Sequence, residues 1–263
     1  MLTTPPPVPG IPTALPAGVD PALFTTQDFS GYSQEDHEVW GILFQRRMEE
    51  LEDTGSETFL SGAEAIGLDA SQLPDLREVN ARLAEMTGWG SVPVVGFLEA
   101  KLFFRCLAAR RFPTTVFIRR KDQLEYLPEP DIFHDVFGHV PLHANPTFAD
   151  FLQTFGAVAA AAKTPDEVQA MARLFWFTVE FGLVHERGAV RVYGSGLISS
   201  AGDAANALGP ACQRRPFTLD GVLNQPFEID RLQDVLFVVD DFSQLFEACR
   251  EAEHRLQKGK LLP

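Results

Sequence analysis

The chain has 263 residues, 45% of them hydrophobic, which is enough to bury the core of one large domain or of two small ones. Its net charge of -14 at pH 7 disfavours nucleic acid and anionic membranes as partners. Its three cysteines are an odd number without a CxxC pair, which argues against a disulfide framework and a zinc ribbon and favours a reducing compartment.

The N-terminus is rich in proline and lacks both the basic region and the apolar stretch of a signal peptide. No segment approaches the roughly 18 apolar residues that a membrane-spanning helix needs. We therefore expect a cytoplasmic protein with a disordered arm over residues 1–24. The ordered domain is expected to cover residues 25–263.

The first predicted helix follows Ser33, a typical N-cap residue, with Glu35 and Asp36 in the first turn. Periodicity and end signals predict further helices over residues 60–68, 75–87, 98–110, 131–138, 147–163, 165–185 and 243–257. Glycine and proline interrupt the pattern over 88–97, which predicts a loop. Strands are predicted over 114–120, 190–193 and 235–240. The sequence therefore predicts one mostly α-helical domain with a few short β-strands.

Glu180 lies in the apolar segment RLFWFTVEFGLV, where burying a carboxylate is costly unless a cation or hydrogen-bond donors pair with it. Upstream, the segment HDVFGHVPLH contains three of the six histidines: His134, His139 and His143. Two imidazoles and one carboxylate on one face of a metal form the facial triad of non-haem Fe(II) oxygenases. His134, His139 and Glu180 are therefore candidate iron ligands, whereas we interpret His143 as a partly exposed helix-cap residue.

A zinc hydrolase that uses the same three ligands is an alternative. Zincins carry HExxH, with the histidines four residues apart on one helical face, but here the spacing is five and the intervening acid is Asp135. Five residues rotate well away from the starting face of an α-helix, so we expect His139 to lie where the helix ends, at Gly138. The spacing argues against a zincin and does not by itself select iron.

Three motifs together resemble the catalytic domain of the aromatic amino acid hydroxylases: EPDIFHDVFGHVPL, LFWFTVEFGLV and VYGSGLISS. The likeness covers about residues 30–250 and is closest to the bacterial phenylalanine 4-monooxygenases. It implies a monooxygenase that uses Fe(II), tetrahydropterin and O2 to hydroxylate L-phenylalanine to L-tyrosine. Alternatives within the family are a tryptophan or tyrosine hydroxylase, or a member that binds iron or pterin without turnover.

The resemblance also implies roles for individual residues. His134, His139 and Glu180 match the iron ligands, and Arg119 matches the arginine that holds the substrate carboxylate. The other implied substrate contacts are Trp176, Ser199 and Ser200. The implied pterin contacts are Gly96, Phe97, Leu98, Phe103 and Asp135.

Two features of animal members find no match in the sequence. Asp135 stands where they carry glutamate, one methylene longer. Their N-terminal regulatory domain and C-terminal tetramerisation helix also have no counterpart, so the resemblance implies a monomer.

Overall fold

A computed structural model describes residues 20–125 and 129–262 of the chain. Most of the predicted N-terminal arm, residues 1–19, thus lies outside the described residues. Its last residues pack on the domain: a short 3-10 helix spans Pro21–Leu23, and Val95 donates its backbone N–H to the carbonyl of Leu23. The folded domain therefore includes Pro21–Leu23, which we assigned to the disordered arm.

Ten α-helices lie within the described residues: α1 Gln34–Thr54, α2 Glu57–Ala65, α3 Leu76–Met86, α4 Ala100–Ala108, α5 Pro146–Ala160, α6 Pro165–Phe175, α7 Ser195–Ser199, α8 Ala201–Leu208, α9 Leu219–Asn224 and α10 Ser243–Gln257. The strands of the same part of the chain are β1 Gly90–Pro93, β2 Arg111–Thr114, β3 Leu183–Glu186, β4 Ala189–Val192, β5 Gln213–Pro216 and β6 Val235–Val239. The fold is mostly helical with few short strands, as predicted.

The strands form two small sheets. β1 and β2 pair in parallel, and the second sheet has the order β4-β3-β6-β5. In that sheet β3 and β4 form an antiparallel hairpin, and β6 runs parallel to both β3 and β5.

Local capping chemistry explains where the long helices begin. Ser33 and Asp36 form a capping box at the start of α1, and Thr164 and Glu167 form another at the start of α6. The apolar stripe of α1 is buried at Val39, Trp40, Leu43 and Leu51. The predicted helix over 243–257 is confirmed as α10.

Three predictions about secondary structure were wrong. The predicted strand over 114–120 does not form: β2 spans Arg111–Thr114 and reaches only the first residue of the predicted range. The predicted loop over 88–97 contains β1, which forms because β2 lies beside it. The predicted helix over 165–185 ends with a π-helical turn at Trp176–Glu180, and His185 lies in β3. Tertiary pairing overrode the local pattern in the last two cases.

The aromatic core lies behind the segment that carries the histidines. The rings of Phe133 and Phe137 stack at 4.6 Å, and the ring of Trp40 packs edge-on to Phe133 at 5.5 Å. One face of this segment is thereby fixed in the core, which leaves the other face to carry His134 and His139.

Among the described helices, none combines the length and the apolar character needed to cross a membrane.

Candidate active site

Two π-helical turns present the three candidate metal ligands. His134 and His139 belong to the turn Phe133–His139, and Glu180 ends the turn Trp176–Glu180. A π-helix bonds residue i to i+5, so its wider turn brings residues five apart toward one face. His139 is the last residue of its turn, as expected, and the π-helical geometry accounts for the five-residue spacing.

The donor atoms of these three side chains converge. His139 Nε2 lies 3.0 Å from Glu180 Oε1, and His134 Nε2 lies 3.7 Å from Glu180 Oε2. Donors bound at right angles to one metal through bonds of about 2.1 Å lie about 3 Å apart. The spacing thus suits a small divalent cation, and the histidine–carboxylate set is one that non-haem iron accepts.

The hydrogen bonds of Ser199 define which nitrogen of His134 carries the proton. The Ser199 hydroxyl donates to the carbonyl of Ser195 at 2.8 Å, so it accepts from His134 Nδ1–H at 2.9 Å. The neutral imidazole then has its lone pair on Nε2, facing the carboxylate of Glu180. Two acceptors face each other across this gap, an arrangement that a cation between them would stabilise.

The electrostatics of Glu180 favour the ionised form. Burial raises its pKa, but the charges that the two histidines carry when protonated, the hydrogen bond with His139 and the Ser195 hydroxyl outweigh burial and hold the pKa at about 2. The carboxylate is therefore charged at neutral pH, as a metal ligand must be.

Asp135 is a second carboxylate near the histidines, with an oxygen within 4.8 Å of their ring nitrogens. Its Oδ2 accepts the backbone N–H of Thr115 at 2.7 Å, and burial raises its pKa. Glu180, rather than Asp135, has its oxygens against the Nε2 atoms of both imidazoles.

The predicted serine pair divides into two roles. Ser199 contacts a candidate ligand, whereas Ser200 caps α8 through its bonds with Asp203. Sequence reasoning missed Ser195, whose hydroxyl donates to Glu180 Oε2 at 2.8 Å. The spacing of Ser195 and Ser199, one helical turn apart, was the signal that could have identified it.

A cleft of about 490 Å³ opens beside the candidate ligands. His134, His139 and Glu180 line it together with the predicted pterin residues, which are Gly96, Phe97, Leu98, Phe103 and Asp135. Phe97 is 75% exposed at the cleft, and Phe103 packs edge-on against the ring of Phe112 at 5.8 Å. The structure thus gathers these residues around one space in which a flat heterocycle can stack.

Arg119 forms a buried, bidentate ion pair with Asp131. Its Nε and Nη2 lie 2.8 and 2.9 Å from the two carboxylate oxygens, and the side chain of Asp131 is fully buried. Burial raises the pKa of Asp131, but the hydrogen bonds and the positive charge of Arg119 lower it by more, so the pKa lies below its usual value. Asp131 also accepts the backbone N–H of His134 at 3.1 Å, so it connects Arg119 to a candidate ligand. Sequence reasoning did not find Asp131.

Trp176 does not occupy the position that an α-helix would give it. Its ring stacks on Phe227 at 4.5 Å, and its indole N–H donates to Gln233 at 3.3 Å. Phe175, the last residue of α6, precedes Glu180 by five residues, and its ring stacks against His139 at 6.3 Å. The described lining of the cleft does not include Trp176, so the substrate contact that the resemblance implies for it stays a prediction.

His143 is fully buried, so its interpretation as a partly exposed cap was wrong. Its ring stacks on Trp89 at 4.6 Å, and neither ring nitrogen has a hydrogen-bond partner within the described residues. Burial lowers its pKa well below the usual value, so the ring is neutral in the folded protein.

We expect His143→Leu to raise the free energy of unfolding by about 1 to 3 kcal/mol, because it removes a buried polar group without partners. The gain should be larger below pH 6.5, because there the unfolded chain binds a proton at His143 that the folded protein refuses. Urea unfolding at pH 7.5 and 5.5 measures both effects, with exposed His254→Leu as the control. A lower free energy of unfolding in His143→Leu would show that the ring nitrogens are satisfied in the folded protein.

Comparison with known proteins identifies the family of the chain. A model of the biopterin-dependent aromatic amino acid hydroxylases matches residues 28–261, and the chain belongs to that family. The phenylalanine-4-hydroxylase of Chromobacterium violaceum is 42% identical over 223 residues, which cover 84% of this chain and 75% of that protein. The phenylalanine-4-hydroxylase of Caulobacter vibrioides is 39% identical over 239 residues, which cover 90% and 81%.

A solved structure extends the likeness to the fold. The crystal structure of the C. violaceum enzyme with bound iron(III) and 7,8-dihydrobiopterin matches with a TM-score of 0.85 at 40% identity. The match covers 92% of this chain and 88% of that chain.

Proposed function

We propose that this protein is a phenylalanine 4-monooxygenase that hydroxylates L-phenylalanine to L-tyrosine with O2 and a tetrahydropterin. In this proposal His134, His139 and Glu180 hold Fe(II). The observation that carries the proposal is the convergence of these three donors on the wall of the cleft that also contains the predicted pterin residues.

When bound, iron and pterin supply the O2 activation that no amino acid side chain provides. The side chains of this protein would hold the iron, orient its ligands and shield the site from water. Ser199 keeps the proton of His134 on Nδ1, which leaves Nε2 as a neutral donor. The rings of Phe112 and Phe175 pack against His139 at 4.5 and 6.3 Å and keep water from that side of the site.

Arg119 is proposed to bind the substrate carboxylate. Among the bonds within the described residues, three of its five N–H groups are used, two on Asp131 and one on the carbonyl of Leu124. One N–H on each terminal nitrogen remains for another acceptor. Asp131 fixes the plane of the guanidinium, and a carboxylate can then bind it with little loss of entropy.

We further propose that the protein is a cytoplasmic monomer whose partners are small molecules and include neither nucleic acid nor membrane. The net charge of -14 and three buried, unpaired cysteines support this proposal. Light scattering after size-exclusion chromatography tests the monomer, and a mass of two or more chains would contradict it.

One assay separates this function from a zinc hydrolase and from a member that binds iron or pterin without turnover. The purified protein is loaded with Fe(II) or Zn(II) and incubated with L-phenylalanine, O2 and tetrahydrobiopterin. Tyrosine formation that depends on both Fe(II) and pterin is expected. Its absence in the iron-loaded protein would reject the proposed function.

Phenylalanine is expected to be hydroxylated with a higher kcat/KM than tyrosine or tryptophan. An apolar pocket would leave the phenolic hydroxyl of tyrosine unpaired, and the indole of tryptophan needs more room. By resemblance Ile229 stands where tyrosine hydroxylases carry an acid, but its side chain is 78% exposed, so it gives this expectation no support. Chromatographic quantification of products from each amino acid decides the preference, and a preference for tryptophan or tyrosine would overturn the substrate assignment.

Trp176→Phe tests whether the indole of Trp176, which stacks on Phe227, restricts the size of the substrate that the pocket accepts. A higher tryptophan-to-phenylalanine ratio is expected if the indole restricts substrate size. An unchanged ratio would show that Trp176 only packs the core.

A further inference from the structure

The short helix α7 contacts both turns that carry the candidate ligands. A Cβ atom on Gly138 would lie 3.0 Å from the backbone oxygen of Ser195, so the helix packs closely on the first π-helical turn. The hydroxyl of Ser199 accepts from His134 Nδ1–H at 2.9 Å. The hydroxyl of Ser195 donates to Glu180 Oε2 at 2.8 Å. The position of α7 therefore determines how two of the three candidate ligands are held.

The helix α7 needs help from another part of the chain to keep its position. It spans only Ser195–Ser199, and so short a helix is not stable without tertiary contacts. The last carbonyls of an α-helix have no partners within the helix. Those of α7 belong to Leu197 and Ile198, which are fully buried. A buried carbonyl without a donor is costly, so a donor from outside the helix is needed.

Arg47 of α1 supplies two such donors. Its Nε–H donates to the carbonyl of Ile198 at 2.8 Å, and its Nη2–H donates to the carbonyl of Leu197 at 3.1 Å. The side chain is only 5% exposed, and its remaining nitrogen pairs with Glu50. The planar guanidinium presents its donors at a fixed spacing, and its positive charge is favourable at the C-terminal end of a helix. Arg47 thereby fixes both the distance and the direction of α7 relative to α1.

We propose that Arg47 is a positioning residue that acts on the metal site through α7. With the guanidinium in place, Ser195 and Ser199 stay within hydrogen-bond reach of Glu180 and His134. Without it the end of α7 loses its donors, and both hydroxyls move away from the candidate ligands together. The inference rests on the proposed function only in taking a metal to bind at this site.

The affinity for Co(II) tests the proposal, measured by competition with a coloured chelator at a temperature where circular dichroism shows each variant folded. Arg47→Met keeps the apolar stem of the side chain and removes every donor. Its dissociation constant for Co(II) should rise about tenfold or more, the usual effect of losing a group that orients metal ligands. Arg47→Lys keeps the charge and can donate to one carbonyl at a time, so it should recover part of the lost affinity.

Arg173→Met is the matched control, because Arg173 also bonds to the end of a short helix. Its Nη1–H donates to the carbonyl of Leu223 in α9 at 3.0 Å. Among the described residues, no side chain of α9 is hydrogen-bonded to a candidate ligand. This variant should lose stability and keep its Co(II) affinity. The same result in Arg47→Met would mean that Arg47 only supports the fold, and would overturn the proposal.

A double-mutant cycle separates action through α7 from a general loosening of the fold. The protein with both Ser195→Ala and Ser199→Ala keeps the backbone of α7 but has neither hydroxyl. In this background Arg47→Lys should no longer weaken Co(II) binding. An equal loss of affinity in both backgrounds would overturn the proposal. Because lysine keeps the charge, this comparison decides even if Arg47→Met does not fold.

These measurements are independent of hydroxylation. A protein whose Co(II) affinity depends on Arg47 but which forms no tyrosine would refute the proposed function and leave this inference standing. Tyrosine formation together with a Co(II) affinity that does not depend on Arg47 would do the reverse.

Discussion

Glu180→Ala and His139→Ala are each expected to abolish stoichiometric iron binding and hydroxylation while the fold largely survives. Each change removes one of three converging donors, and Glu180→Ala also removes the negative charge that offsets the cation. Loss of a ligand should exceed the 10- to 100-fold effect that is typical of groups outside the metal's own ligands. Iron content by elemental analysis and tyrosine formation are the two measurements.

The controls for these variants are residues of the same type on the surface. His185→Ala removes an exposed histidine of β3, and Glu64→Ala removes an exposed carboxylate of α2. Both should keep full iron content. Glu180→Gln separates charge from shape, because the amide keeps the size and can still accept from Ser195 but lacks the charge. Full iron retention in Glu180→Ala and His139→Ala would remove both residues from the metal site.

The candidate ligands could be selected from the sequence because their signal is chemical. A single carboxylate in an otherwise apolar segment is costly, and a histidine cluster upstream offered the partners. The geometry that joins them could not be read from the pattern, because periodicity assumes an α-helix. The π-helical turn Phe133–His139 lies instead where Phe133 and Phe137 stack in the core and Gly138 packs closely against Ser195 of α7.

The same limit applies to the supporting residues and to the fold. Helices with caps and one apolar stripe, such as α1 and α10, were predictable from local chemistry. β1 was not, because it forms against β2, which follows only after α4 in the sequence. β3 was missed because the helical pattern of the preceding segment was extended into it, although its hairpin partner β4 follows directly. Asp131 and Ser195 lie within the motifs EPDIFHDVFGHVPL and VYGSGLISS, but only the folded chain places them against Arg119 and Glu180.

Arg119→Lys is expected to raise the KM for phenylalanine about 10- to 100-fold with little change in the KM for pterin. Lysine carries the same charge but cannot present two parallel N–H groups to one carboxylate while two others hold Asp131. The loss corresponds to about 1.5–3 kcal/mol, the usual contribution of hydrogen bonds to charged groups. Steady-state kinetics with each substrate varied in turn measure the split.

Arg120→Lys is a close control, because Arg120 is the next residue, is largely exposed and pairs with Asp122 at 2.8 Å. It should leave both KM values unchanged.

Asp131→Asn tests whether Asp131 positions Arg119. The guanidinium keeps its charge but loses its bidentate partner, so the KM for phenylalanine should rise as in Arg119→Lys. Because Asp131 also holds the backbone N–H of His134, Asp131→Asn should weaken iron binding as well, whereas Arg119→Lys should do so less. An equal rise of both KM values in Arg119→Lys would mean that Arg119 supports the fold around Asp131 and does not bind the substrate.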